Sequence, residues 1–151
     1  MKKLILINLI IIILFALLYF LIDLEGDSKT EEKIVTKIID GDTIIVQGGE
    51  TIRFLGVDCD ERGKECYGEA KEYVENELLG MKVILEYGAE DKDRYGRSLR
   101  YILTDKGNFN IELIKEGYCV ARIENTDKYK AEIINAEEFT IENKIGCKWR
   151  N

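Results

Sequence analysis

The chain contains no histidine. That absence removes Ser-His-Asp triads, Cys-His pairs, His-bearing zinc sites and imidazole bases together, so a base has to be a carboxylate or a metal-bound hydroxide. Proline is also missing, and with Ile, Lys and Glu abundant the composition is of the kind found in thermophiles. An excess of positive charge is lacking too. The net charge is −7, which excludes a protein that holds nucleic acid by bulk charge, so any phosphate contact must be local. No C-x-x-C pair occurs among Cys59, Cys66, Cys119 and Cys147, which argues against zinc. In an exported chain an even number of cysteines suggests disulfides. Three pairings are open; the expected one joins Cys59 to Cys66 and Cys119 to Cys147, with four small buried thiols as the alternative.

What the chain does have begins with a long apolar run. From Leu4 to Ile22 there is no charge, with Met1-Lys2-Lys3 before it and Asp23, Glu25 and Asp27 after it. Such a run can span a hydrocarbon core of about 30 Å, and the lysine side should stay in the cytoplasm. Residues 1–24 therefore read as a membrane anchor or a signal peptide. The exit Leu21-Ile22-Asp23-Leu24-Glu25-Gly26 offers no clean cleavage site, which favours an anchor on the outer face of the cytoplasmic membrane, with secretion the outcome if the segment is cleaved. Residues 25–32 read as a charged linker, and residues 33–151 remain as one domain.

Within that domain the period changes along the chain. The β-branched stretch Ile34 to Ile39 stops at Asp40-Gly41-Asp42, Thr43 to Val46 follows, Gln47-Gly48-Gly49-Glu50 turns again, and Thr51 to Val57 makes a third strand. From Glu69 to Leu79, Ala70, Tyr73, Val74 and Leu78 fall at helical spacing and Gly80 closes the run. Lys82 to Tyr87 and Ser98 to Leu103 alternate as strands around a charged loop. Asn110 can cap a short helix ending before Gly117. A last helix is expected from about Asp127 to Asn143, with Ile133, Ile134, Ala136 and Ile141 inward, and Trp149 near the end. Five strands with a helix between the third and fourth match the order of an OB-fold Greek-key barrel, an α+β domain of mainly β structure with about three helices, preceded by one N-terminal hydrophobic helix.

Phosphodiester chemistry needs a positioned nucleophile and stabilisation of charge on the phosphoryl oxygens. A hard cation on carboxylates and carbonyl oxygens, together with arginine forks, can supply the second. Three clusters offer such groups: Asp40-Gly41-Asp42-Thr43, Arg53 to Glu61, and Asp93-Arg94-Tyr95-Gly96-Arg97. Each alone could be a hairpin turn, a solvated strand end or a charged loop. Together, Ile39-Asp40-Gly41-Asp42-Thr43, then Arg53 with Val57-Asp58 and Glu61, then Asp93-Arg94-Tyr95-Gly96-Arg97 resemble the thermonuclease family, a resemblance that extends to Tyr67-Gly68-Glu69-Ala70 and covers residues 33 to 151.

The resemblance implies a calcium-dependent nuclease that cuts single-stranded DNA and RNA and leaves 3′-phosphate ends. It implies Asp42, Asp58 and the backbone carbonyl of Cys59 as Ca2+ ligands. Glu61 would activate water, Arg53 and Arg97 would brace the phosphate, and Arg94 and Tyr95 would bind the terminal phosphate and sugar. The chain departs from the family where Cys59 and Asp60 replace Thr and Pro, where the loop from Glu61 to Cys66 is short, and where Ile123 to Asp127 lacks tyrosines. A non-catalytic nucleic-acid or protein-binding relative is the alternative, although it would not need both arginines and Glu61. A membrane-anchored calcium-binding adhesion module explains the carboxylates and leaves the arginines without a purpose.

Overall fold

The computed structural model describes Asn8 and residues 10–17, 29–124 and 128–150. Residues 10–17 are helical, and among the described residues no helix is long and apolar enough to cross a membrane. The rest of the expected anchor, the first half of the linker (residues 25–28) and the expected start of the last helix at Asp127 lie outside the described residues.

Five strands close into a barrel. Strand β1 (Thr30–Ile38) pairs antiparallel with β2 (Thr43–Val46) and β5 (Lys82–Lys92), β2 pairs with β3 (Thr51–Phe54), and β5 pairs with β6 (Ser98–Thr104). A parallel pairing of β3 with β6 shuts the ring. This is the OB-fold order expected from the strand spacing. Closure leaves few unpaired backbone edges and one apolar interior, into which Val35, Ile44, Val46, Ile52, Phe54, Val83, Leu85 and Ile102 project with almost no exposure.

The expected third strand is broken. Leu55 interrupts it, and Gly56, at φ 75°, starts a separate strand β4 (Gly56–Cys59). A left-handed backbone is cheap only for glycine, and a Cβ here would lie 2.4 Å from Ile133 Cδ1. The bend takes β4 out of the barrel to pair antiparallel with β8 (Cys119–Arg122), a strand that sequence periodicity did not reveal. At the N-terminal side β1 already begins at Thr30 and so takes in residues expected in the linker.

Helix α1 (Tyr67–Leu78) buries Ala70, Val74 and Leu78 as its spacing predicts. A two-residue strand β7 (Gly107–Asn108) leads into α2 (Phe109–Lys115). Here the capping residue is Asn108, whose side chain accepts from the Asn110 and Ile111 amides, and not Asn110. Asn110 is wholly buried instead. Its carbonyl oxygen accepts from the Ile102 amide at 2.9 Å and its amide donates to the Leu55 carbonyl at 2.8 Å, which ties the helix to the strand break. Helix α3 (Lys130–Asn143) turns Ile133, Ala136 and Thr140 inward. Ile141, expected inside, is 47% exposed, and Ile134 is only half-buried, because Thr140 takes the inward place and satisfies its hydroxyl on the Ala136 and Glu137 carbonyls. A single turn α4 (Gly146–Trp149) ends the described chain.

The cysteines pair, but not as neighbours in sequence. Cys59 is bonded to Cys119 and Cys66 to Cys147. The β4–β8 register sets Cys59 directly opposite Cys119, whereas Cys66 lies at the start of α1 facing α4. The expected Cys59–Cys66 and Cys119–Cys147 pairs fail because the strand pairing β4–β8 could not be read from local pattern.

Candidate active site

At one rim of the barrel the end of β3, the start of β4, the far end of β5, the β5–β6 loop and the end of β8 surround a cleft of about 200 Å³. Arg53 is its floor. It is 9% exposed and stands opposite Thr43 in the β2–β3 ladder. Its Nη1 donates to the Phe54 and Val57 carbonyls at 2.6 and 2.8 Å. Its Nη2 donates to Asp58 Oδ1 at 2.9 Å, and its Nε lies 3.3 Å from Asp42 Oδ1. One guanidinium thus gathers both carboxylates expected to bind metal, and its hold on two carbonyls of the strand break fixes it in place.

Asp42 sits at the end of the β1–β2 turn. Its amide donates to Asp40 Oδ1 at 3.2 Å, its Oδ1 accepts from the Thr43 hydroxyl at 3.0 Å, and its Oδ2 accepts from the Cys59 amide at 2.8 Å. Burial pushes the Asp42 carboxyl up to about 6, against the pull of Arg53, the Cys59 amide and the Thr43 hydroxyl, with the charge of Asp40 adding to the rise. Gly41 makes the turn possible by close approach: a Cβ there would lie 2.8 Å from Cys59 Cβ and 2.9 Å from Ala70 Cβ. The turn therefore rests on the Cys59–Cys119 bridge and on α1.

Arg97 is placed by its own loop. Asp93 Oδ1 accepts from the Tyr95 and Arg97 amides, and Asp93 Oδ2 accepts from Arg97 Nε at 2.7 Å. Burial alone would raise the Asp93 carboxyl, but these contacts with Arg97 and the Tyr95 amide hold it below its ordinary value. Arg97 Nη1 reaches Thr43 Oγ1 at 3.4 Å, so Thr43 links the second arginine to the Asp42 cluster. Arg94 and Tyr95 lie exposed on the same loop, with Arg94 Nη2 donating to the Tyr95 hydroxyl at 2.7 Å and Arg97 5.6 Å above the Tyr95 ring.

The structure brings together Asp42, Arg53, Asp58, the Cys59 backbone and Arg97, with Arg94 and Tyr95 at the edge. It does not bring Glu61 in. Glu61 follows β4 in an exposed turn and, unlike Asp42 and Asp58, which also lie outside the cleft lining but meet Arg53, makes no side-chain hydrogen bond or ion pair among the described residues. Sequence reasoning gave no role to Thr43 or Asp93, although both lie within the quoted motifs, and missed Arg122, which lines the cleft from β8.

Among the described residues no group of three or more His, Cys, Asp or Glu side chains is arranged to hold a metal ion. The donor chemistry nonetheless suits a hard cation, since Asp42 and Asp58 offer carboxylate oxygen and the Cys59 backbone offers a carbonyl. Asp42 and Asp58 share the single Arg53 guanidinium, and the raised Asp42 carboxyl follows first from its burial, with the charge of Asp40 adding to it.

The family model described as staphylococcal nuclease homologue matches residues 51–150. A thermonuclease of Staphylococcus intermedius is 37% identical over 122 residues, covering 74% of this chain and 73% of that protein. A thermonuclease of Staphylococcus hyicus is 40% identical over 114 residues, covering 69% of this chain and 68% of that protein. The endonuclease YhcR of Bacillus subtilis is 33% identical over 120 residues, which are 66% of this chain and 10% of that much longer protein.

Proposed function

The chain belongs to the staphylococcal nuclease homologue family and is a nuclease, and we propose that it hydrolyses phosphodiester bonds of single-stranded DNA and RNA with calcium, leaving 3′-phosphate ends. The observation that carries the proposal is the convergence of Asp42 and Asp58 on Arg53, with the Cys59 amide on Asp42 and Arg97 close by through Thr43, at the rim of an OB barrel.

In this reading Asp42, Asp58 and the Cys59 carbonyl hold the calcium ion, which when bound neutralises their charge and that of a phosphoryl oxygen. Arg53 and Arg97 grip the phosphate from two sides and stabilise the charge that grows on its equatorial oxygens. The two are prepared differently. Arg53 is locked by carbonyls and carboxylates, whereas Arg97, which lines the cleft, has its Nε held by Asp93 and only a 3.4 Å contact from Nη1 to Thr43. Glu61 takes the proton of the attacking water on its carboxylate, and its exposed, unpaired state leaves it able to swing toward the cleft. Water oxygen bonds to phosphorus as the bond to the 5′ oxygen breaks and that oxygen takes a proton from solvent water, so the phosphate stays on the 3′ side and a free 5′ hydroxyl leaves. Arg94 and Tyr95 sit around the terminal phosphate and sugar of the bound strand. The apolar run at residues 4–22, preceded by Lys2 and Lys3, supports an exported enzyme, anchored at the outer face of the cytoplasmic membrane or secreted if that segment is cleaved.

The test is a cleavage assay of the full-length chain in mild detergent on labelled single- and double-stranded DNA and on RNA, with calcium or chelator, beside Glu61→Ala and Arg97→Ala. Calcium-dependent cutting, fragments that a polymerase extends only after phosphatase treatment, and large losses in both variants are expected. No calcium-dependent cutting by the wild type overturns the calcium reading, and equal rates in all three proteins overturn the residue roles.

A further inference from the structure

The cleft contains an arginine that the motifs do not account for. Arg122 ends β8, where the ladder sets it opposite Gly56, a partner with no side chain. Its side chain is 70% exposed, and among the described residues its only ion pair is with Asp58 Oδ2 at 3.4 Å. Such a long contact between exposed groups holds the guanidinium only weakly. The side chain nevertheless lines the same cleft as Arg53 and Arg97.

Charge decides what this residue is worth. The ionisable groups lining the cleft are Arg53, Arg97 and Arg122 against Glu90, Asp93 and Glu124, three of each sign. Without Arg122 the lining is net negative, in a chain whose own charge is −7, and a polyanion would be repelled from it. Arg53 is spent largely on carbonyls and carboxylates inside the protein, and Asp93 engages Arg97. The most exposed of the three arginines is thus the one with the most donor capacity left for a ligand.

We propose that Arg122 is a third phosphate-binding arginine, which contacts a phosphate of the polynucleotide next to the one gripped by Arg53 and Arg97. The proposal rests on the nuclease reading of this cleft. It makes Arg122 a substrate-binding residue that acts on strand affinity and not on bond breaking. Substrates with a single phosphodiester have no neighbouring phosphate and do not use it.

Two measurements on the full-length chain in detergent test this. The first is fluorescence anisotropy of a labelled single-stranded DNA, with chelator, over a salt series, for wild type, Arg122→Ala and Arg122→Lys. Arg122→Ala should bind about fivefold more weakly and lose about 0.7 from the slope of log affinity against log salt, the value for one phosphate on a single strand. Arg122→Lys should keep the slope. The second is steady-state cleavage with calcium: Arg122→Ala should raise KM for the oligonucleotide with kcat unchanged, and leave both constants unchanged for a chromogenic nucleoside carrying one phosphodiester. Unaltered binding and slope in Arg122→Ala overturn the proposal. So does an equal fall of kcat on both substrates, which would show that Arg122 acts by holding Asp58. A wild type that binds with an Arg122-dependent slope and cuts nothing upholds the contact and overturns the nuclease reading; one that neither binds nor cuts overturns both.

Discussion

Arg53 and Glu61 stand at opposite ends of one scale, that of how much the fold depends on a residue the proposed chemistry would use. Arg53 makes two carbonyl hydrogen bonds and meets two carboxylates while almost buried. Lysine keeps the charge and loses the fork. Arg53→Lys is therefore expected to lower stability by about 3 kcal/mol, since it leaves Asp42 and Asp58 poorly matched, and to lower the cleavage rate by roughly 100-fold or more. Chemical denaturation and initial rates measure the two effects. The Glu61 side chain makes no hydrogen bond or ion pair among the described residues, so Glu61→Gln should leave the melting temperature unchanged while the rate falls by about 10²–10⁴. A rate equal to wild type would remove Glu61 from the mechanism. At this scale the sequence was informative about identity and poor about contact. Asp42, Arg53, Asp58 and Arg97 were legible because three short motifs carry them. That Arg53 would be pinned by the Phe54 and Val57 carbonyls was not, because those acceptors exist only once the strand breaks at Leu55. Arg122 gave no signal, since the strand that positions it has no periodic pattern of its own.

Strand β4 carries much of the site although it is four residues long. It bears Asp58, it bears the Cys59 amide that holds Asp42, and its end is bonded to β8 through Cys59–Cys119. Pattern reading merged it with β3 because alternation continues across Leu55, and only Gly56 marks the change of direction. With β4 hidden, β8 had no partner to suggest it, and the disulfides were assigned by nearness in sequence. The barrel strands were legible because each has β-branched residues and a turn signal at its end; β4 and β8 form a long-range pair with neither. The bridge closes a loop of 60 residues. Replacing both Cys59 and Cys119 by Ser is expected to cost about 4 kcal/mol by loop entropy and also to lower activity, because the Asp40-Gly41-Asp42 turn packs against Cys59. Denaturation of the variant beside the oxidised wild type measures the cost, and the fully reduced wild type, which also loses Cys66–Cys147, should be less stable than the variant. A variant that melts earlier yet cuts at the full rate well below its melting temperature would show that the bridge supports the fold without supporting the site.

For the molecule as a whole, three carboxylates divide the response to pH. Asp60 is tied to Lys148 Nζ at 2.6 Å and to the Cys66 amide at 3.0 Å. Burial would raise it, but Lys148 and the amide prevail and hold it low. Asp93 is held low in the same sense by Arg97. A carboxyl depressed in the fold contributes stability that is present above its unfolded value, about 4, and is lost as pH falls through its folded value. Asp42 runs the other way. Its carboxyl is raised to about 6, so its contribution is complete below about 4 and is lost as pH rises through about 6. The net charge of −7 adds to this, since self-repulsion eases as acids are neutralised. With chelator present, the melting temperature should therefore rise as pH is lowered from 7 toward 5, and fall again below about 4. Asp42→Asn should flatten the rise and leave the acid fall, while Asp60→Asn should lessen the acid fall and leave the rise. Calcium should oppose the rise by stabilising the ionised form of Asp42 near neutral pH, so that the curve measured with calcium is flatter between 5 and 7 than the curve measured with chelator. A curve that does not change between chelator and calcium would mean that Asp42 does not meet the ion, and the calcium site would have to be sought elsewhere.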